Sequence, residues 1–185
     1  VEVDIGMGRC GVAPGRPALA LAQRVATTGG VAFAGLMGYE GHLVLTRDPQ
    51  ERKAKVEAAL GLLVDTKRLL EGSGLPVGIV SGGGTGTYDV TGSFPGVTEV
   101  QAGSYVFMDT TYREIRPEFQ PSLSLLATVI SCVDRSRVIV DAGHKVLTSE
   151  FGPPQVLGLP GAGPLRLSEE HGRIPLAEPE RVSLR

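Results

Sequence analysis

Strand-like runs that end in glycine alternate with helical patterns, and this alternation restricts the fold more than any other feature of the sequence. Residues 1–5 alternate apolar and polar side chains and run into Gly6-Met-Gly-Arg-Cys-Gly11. Residues 31–39, 75–80 and 98–101 read as three further strands, of which 75–80 is short and buried. Pro17 opens a helix over residues 18–26, which Gly29 and Gly30 stop. Asp48 and Pro49 open a longer helix with Val56, Leu60, Leu63, Leu69 and Leu70 on its apolar side, and Gly72 and Gly74 end it. Strands separated by helices do not form hairpins, so the expectation is an α/β fold of parallel β/α units.

After Tyr112 the pattern changes. Pro117 and Pro121 break the chain, and residues 123–132 and 138–146 read as strands flanking a polar turn at Asp134-Arg-Ser-Arg137. An antiparallel β segment is expected there, followed by a Gly- and Pro-rich stretch over 151–164 and a polar end. The boundary is placed between Tyr112 and Gln120, giving domains over 1–115 and 116–185.

Composition narrows the class of function. With 42% hydrophobic and 21% charged residues the chain suits one soluble globular body, and a net charge of −2 offers no field for nucleic acid or an anionic membrane. There is neither an eighteen-residue apolar run nor a signal-peptide pattern at the start. Cys10 and Cys132 are far apart and match no metal or disulfide framework, which fits a reducing, cytoplasmic setting. The chain opens at Val1 inside a strand pattern, and is expected to be part of a longer protein.

The strongest chemical signal is Ser81-Gly-Gly-Gly-Thr-Gly-Thr-Tyr88, directly after a buried strand. Successive glycines let backbone N–H groups converge on an anion, and Thr85 adds a hydroxyl, which suits a phosphate; a plain flexible turn is the alternative. It is neither a Walker loop nor a GxGxxG fingerprint. Gln101-Ala-Gly-Ser-Tyr105 is a second strand end with a glycine and a hydroxyl, so the pair resembles the phosphate site of a TIM-type barrel. Arg9, between glycines past a strand end, can reach an anionic or phenolate oxygen, or pair with Asp4. Tyr39 and His42 follow the second strand, where either could meet a cofactor ring or shuttle a proton, although a solvent-facing loop is the preferred place for His42. Asp141 and His144 have an Asp-x-x-His spacing that is weak evidence of a metal, and His171 is equally ambiguous. The charge run Glu51-Arg-Lys-Ala-Lys-Val-Glu57 reads as a solvated helix face with i,i+4 pairs.

Taken in order, six segments resemble the D-threonine aldolase and D-serine dehydratase family. They are Val-Asp-Ile-Gly-Met-Gly-Arg-Cys-Gly-Val at 3–12, Gly-Leu-Met-Gly-Tyr-Glu-Gly-His at 35–42, the glycine run at 81–88, Thr-Glu-Val-Gln-Ala-Gly-Ser-Tyr-Val-Phe-Met-Asp at 98–109, Val-Ile-Val-Asp-Ala-Gly-His-Lys at 138–145, and Leu-Ser-Glu-Glu-His-Gly at 167–172. The resemblance implies the second half of a TIM-type (β/α)8 alanine-racemase-like barrel followed by part of an antiparallel β domain. It also implies pyridoxal 5'-phosphate and a nearby divalent metal (Mn, Mg or Zn). Gly83, Gly84 and Thr85 would hold the phosphate with help from Gly103, Ser104 and Tyr105; Arg9 would contact the phenolic oxygen, and Tyr39 would lie beside the ring. Gln101 would face the pyridine nitrogen where alanine racemases have an arginine, a neutral partner that argues against simple racemisation.

Two departures qualify the match. The family's catalytic lysine lies on the first barrel strand in a Lys-Thr-His-Lys-like stretch that has no counterpart here, since Lys53, Lys55 and Lys67 are on a helix face and Lys145 is in the β segment. The family's metal pair, a His-x-Asp or His-x-Cys, is expected beyond Arg185. The chain alone is therefore expected to be inactive or poorly soluble, with unpaired sheet edges. The implied activity of the intact enzyme is cleavage of a D-3-hydroxy amino acid to glycine and an aldehyde, and the intact form is expected to be a homodimer. Deamination, as in D-serine dehydratase, is the alternative, and a non-catalytic cofactor- or phosphate-binding protein is the rival from another class.

Overall fold

A computed structural model describes residues 1–132 and 136–177, so Asp134 and Arg135 of the expected polar turn lie outside the described residues. The chain divides into two compact units: Val1–Val106 with Glu114–Phe119, and Phe107–Arg113 with the described part of Gln120–Arg185.

In the first unit, helix α1 (Arg16–Thr27), strand β1 (Gly35–Met37), helix α2 (Pro49–Gly72), strand β2 (Ile79–Gly82), helix α3 (Tyr88–Ser93) and strand β3 (Glu99–Val100) follow one another. The strands form a parallel sheet in the order β1-β2-β3, with Leu36 opposite Val80 and Ser81 opposite Glu99. Residues 1–3 run parallel beside β1: Val3 N–H donates to the Met37 carbonyl at 2.7 Å, and Met37 N–H to the Val1 carbonyl at 2.9 Å. Parallel segments standing in chain order, each joined to the next by a helix or a long crossover, agree with the expected wall of a β/α barrel. The core lies between wall and helices, where Ala18, Ala22, Val56, Leu60, Leu63 and Leu70 meet Val3, Ile5, Leu36 and Val80. Burying each of the larger aliphatic side chains contributes roughly 1.5–3 kcal/mol.

Helix α2 starts where Asp48 Oδ1 accepts the Glu51 N–H at 2.6 Å, with Pro49 in the first turn. It ends where Ser73 N–H donates to the Leu69 and Leu70 carbonyls. Leu69, expected inward, is 37% exposed, because a residue next to buried Leu70 is turned about 100° away on a 3.6-residue repeat. In the charge run, Lys53–Glu57 and Lys55–Glu51 pair across one turn on the exposed face, but Arg52 is buried and donates from Nη1 to the Thr46 carbonyl.

The expected strands are real but shorter. Residues 31–39 form a strand only at Gly35–Met37, and residues 1–5 make isolated bridges, because the Asp4 carboxylate curls the chain by accepting the N–H of Gly6 and Gly8, each at 3.0 Å. Short helix α3, which follows the glycine run, was not expected; six residues that include a glycine show no apolar period.

Helix α4 (Thr110–Ile115) carries the chain between the residue sets of the two units. The second unit is an antiparallel sheet of β4 (Val129–Ser131), β5 (Arg137–Val140), β6 (Arg166–Leu167) and β7 (Gly172–Pro175), ordered β4-β5-β7-β6. Val138, Val140, Ala142, Ile174 and Leu176 form its core. Of the expected strand 123–132 only Val129–Ser131 is strand, and Leu123 and Leu126 are exposed. The strand expected over 138–146 stops at Val140, because the N–H groups of His144 and Lys145 turn to the carbonyls of Ser168 and Glu169. Strands β6 and β7 fall in the end read as polar, where Arg173 and Pro175 flank the buried Ile174.

Replacing Asp48 with alanine removes the α2 cap and should cost about 1 kcal/mol. Urea unfolding followed by circular dichroism measures this, and an unchanged midpoint would contradict the capping role.

Candidate functional site

The segments after the strands of the first unit meet at one end of the sheet. Gly83 there has φ +79°, and a Cβ would stand 3.0 Å from Thr91, so only glycine fits. Its N–H donates to Glu40 Oε2 at 3.2 Å, while Glu40 Oε1 accepts from the hydroxyls of Thr87 and Thr91, both at 2.7 Å. Glu40 is 0% exposed. Among the described residues it has no ion-pair partner, so these three donors replace the water that a buried carboxylate would otherwise need. Thr87 gives its only proton to Glu40 and accepts the Gly84 N–H at 3.1 Å.

This corrects the geometry expected for the glycine run. The N–H groups of Gly83 and Gly84 are turned into the protein, toward Glu40 and Thr87, and do not converge on an external anion. Gly84 instead makes room for an aromatic ring, since a Cβ on it would stand 3.1 Å from the Tyr39 hydroxyl. Arg9 lies over the same ring, its guanidinium carbon 5.6 Å from the centroid, close enough for a cation–π contact.

Thr85 is buried, and its Oγ1 accepts the Tyr105 N–H at 3.0 Å, which ties the loop after β2 to the loop after β3 while leaving the hydroxyl proton free to donate. Gly103 and Ser104 head a short 3-10 turn, and their N–H groups have no partner among the described residues. Nothing lies within 4 Å of where a Gly103 Cβ would stand. Tyr105, Thr85, Tyr88 and Phe119 line an apolar cleft of about 460 Å³. Gln101 with Ser81, Glu99 and Met37 lines a second cleft of about 470 Å³; Gln101 Nε2 donates to Ser81 Oγ at 2.8 Å.

Thus Thr85, Gly103, Ser104 and Tyr105 are brought together, as are Arg9, Tyr39 and Gly84. His42 is exposed and packs against Gly6. In the second unit, Asp141 Oδ1 accepts the Thr128 N–H, the backbone N–H of exposed His144 donates to the Ser168 carbonyl, and the His171 carbonyl accepts from Ser168. No group of three or more His, Cys, Asp and Glu side chains that could hold a metal ion occurs among the described residues. Lys53, Lys55, Lys67 and Lys145 each pair with a glutamate, and none lines either cleft. Cys10 and Cys132 are free thiols, and no helix among the described residues is long and apolar enough to cross a membrane.

Sequence reasoning missed Glu40 and Arg116. Buried Arg116 donates from Nε and Nη2 to the Gly86 carbonyl at 3.0 and 2.7 Å and grips Asp89 with both guanidinium ends. Gly86 itself must be glycine, because a Cβ would lie 1.9 Å from the Val44 carbonyl oxygen. A carboxylate in a Gly-rich strand end was the available signal for Glu40. For Arg116, between Ile115 and Pro117, no local pattern existed. Burial works against the Asp89 carboxylate, but hydrogen bonds and charge from Arg116 outweigh it and hold its pKa below the usual carboxylate range.

Glu40→Ala leaves one N–H and two hydroxyls without their acceptor in a buried site and should cost about 3 kcal/mol or more; a loss under ~1 kcal/mol in thermal or urea unfolding would contradict the clamp. The depressed Asp89 pKa stabilises the fold above the ordinary carboxylate range, and that stability is lost as pH falls through the folded-state value. The melting-temperature gap between the natural protein and Asp89→Asn should therefore be open at neutral pH and close in acid, whereas a pH-independent gap would refute this linkage.

Comparison with known proteins agrees with the geometry. Residues 1–111 match the family described as alanine racemase, N-terminal domain, and residues 122–185 match a serine dehydratase domain. A D-threonine aldolase of Arthrobacter sp is 42% identical over 178 residues, covering 94% of this chain and 47% of that protein. A D-threo-3-hydroxyaspartate dehydratase of Delftia sp. (strain HT23) is 32% identical over 196 residues, covering 96% of this chain and 52% of that protein. The crystal structure of D-threonine aldolase from Filomicrobium marinum superposes with a TM-score of 0.90 at 38% identity, over 96% of this chain and 49% of that one. The chain thus spans about half the length of the curated relatives it matches. From the parallel wall, the paired strand-end loops and these matches together, the chain belongs to the alanine racemase N-terminal domain family.

Proposed function

We infer that this chain contributes one cofactor-holding half of a pyridoxal-5'-phosphate-dependent lyase acting on D-3-hydroxy amino acids, most specifically a D-threonine aldolase that also uses a divalent metal. The observation that carries the reading is the donor set at two adjoining strand ends. The Thr85 hydroxyl proton and the N–H groups of Gly103 and Ser104, which have no partner among the described residues, lie on loops joined by the Tyr105 N–H to Thr85 bond. Three neutral donors on joined loops suit a phosphate ester, and the fit holds without Gly83 and Gly84 as donors.

Within this reading each residue has one task. Thr85, Gly103 and Ser104 bind the phosphate, and Tyr105 holds Thr85 in place. Gly83 and Gly84 shape the loop around Glu40 and Tyr39. Arg9, stacked on Tyr39, offers a fixed positive charge to the phenolic oxygen. Gln101 faces the pyridine nitrogen as a neutral partner. The cofactor, when bound, supplies the electron sink that lets a bond at the substrate's α-carbon break.

Aldol cleavage is favoured over deamination because similarity is greater to the aldolase, at 42% identity, than to the dehydratase, at 32%. The protein containing these residues, supplied with pyridoxal 5'-phosphate, Mn²⁺ and D-threonine, should release glycine and acetaldehyde in equal amounts. Ammonia with a keto acid would favour the dehydratase reading, and neither product pair would reject both. Thr85→Ala should weaken binding of the cofactor about tenfold, the loss of one hydrogen bond to a charged group, and Thr85→Ser should restore it; equal affinity in the alanine variant, by fluorescence titration, would remove Thr85 from the site.

A further inference from the structure

The side-chain hydrogen bonds on one face of the parallel sheet run in a single direction. Ser81 and Glu99 stand opposite one another in register on β2 and β3. Ser81 Oγ lies 2.5 Å from Glu99 Oε1, and Gln101 Nε2 lies 2.8 Å from Ser81 Oγ. A carboxylate has no proton to give, so the one proton of the Ser81 hydroxyl goes to Glu99. The Ser81 oxygen can then only accept. Gln101 must answer with its nitrogen, which turns the other end of the amide, Oε1, away from Ser81 and leaves it without a partner among the described residues.

The two ends of a glutamine amide have nearly the same shape, so shape alone does not choose between them. The carboxylate chooses. Without Glu99, Ser81 could donate to Gln101 Oε1 just as well, and the amide would turn over and present its NH2 group instead.

We propose that Glu99, acting through Ser81, is a positioning residue that fixes the amide of Gln101 with its carbonyl oxygen offered to the site, so that the site selects a ring nitrogen carrying a proton. This rests on the reading of the site as a pyridoxal-phosphate site in which Gln101 faces the pyridine nitrogen. A carbonyl oxygen accepts from a pyridinium N–H and repels a bare ring lone pair; an NH2 group does the reverse. A neutral side chain thereby biases the cofactor toward its protonated, more electron-withdrawing form. No full charge is placed against the ring, and the control lies one residue further away, at a carboxylate.

The test uses two nuclear magnetic resonance signals: the side-chain NH2 of Gln101 in ¹⁵N-labelled protein, and the ring nitrogen of added ¹⁵N-labelled pyridoxal 5'-phosphate. In the natural protein one NH2 proton of Gln101 should exchange slowly with solvent, and the ring nitrogen should resonate at the pyridinium position. Ser81→Ala should abolish the slow exchange and move the ring nitrogen toward the unprotonated position. Glu99→Gln, of the same shape, should give two amide populations and an intermediate ring signal. Ser81→Thr keeps a hydroxyl and should retain both natural signals. An unmoved ring nitrogen in Ser81→Ala and Glu99→Gln would overturn the proposal, as would an unprotonated ring in the natural protein. Failure of the natural protein to take up the labelled cofactor would reject the functional reading. In that case the amide signals of the free protein still decide the positioning pair, which is overturned if Ser81→Ala leaves them unchanged.

Discussion

A buried carboxylate with no ion-pair partner among the described residues holds the site together. Glu40 stands at the end of the β1 segment, yet the groups it binds, Gly83, Thr87 and Thr91, belong to the loop after β2 and to α3. Removing such a group from water costs several kcal/mol unless donors surround it, and the loop can supply three only by winding inward. That winding points the N–H of Gly83 away from solvent and brings Thr85 to where it meets the Tyr105 N–H. Arg116 secures the far side of the same loop through the Gly86 carbonyl. The arrangement of donors at the strand ends follows from these two anchors.

One consequence is a division of labour among residues that look alike in the sequence. The glycines of the run are structural: Gly83 takes a backbone conformation closed to other residues, and Gly86 lets two backbones touch. The donors suited to a phosphate come from Thr85 and from the next loop, at Gly103 and Ser104. Gln101 lines the second cleft, where its amide nitrogen donates to Ser81 Oγ. In the proposed reading, phosphate binding and ring recognition fall to neighbouring loops, of which those after β2 and β3 are joined by the Tyr105 N–H to Thr85 bond.

Much of the fold was legible in the sequence because its information is local. The caps and apolar period of α2, the glycine stops and the alternation of strands with helices all read directly, and the α/β class with a following antiparallel segment follows from them. Strand lengths did not read directly, since pairing ends where a side chain such as Asp4 captures backbone N–H groups, which composition does not announce. Strands β6 and β7 escaped for a related reason: Ile174 alone supplies the buried apolar side chain between Arg173 and Pro175. At the candidate site, the sequence pointed to residues that stand at the strand ends, but the orientation of their groups was not legible. Whether a glycine N–H faces a ligand or a buried glutamate depends on a partner 43 positions away, and no window of sequence contains both.

The central claim is that the anion is gripped by Thr85, Gly103 and Ser104 and not by the backbone of the glycine run. Backbone amide signals of the ¹⁵N-labelled protein, recorded while pyridoxal 5'-phosphate is added, test it most directly. The account predicts that Gly103 and Ser104 shift strongly and saturate together while Gly83 and Gly84 stay within the small drift of neighbouring residues. Large shifts at Gly83 and Gly84 with Gly103 and Ser104 unmoved would contradict it.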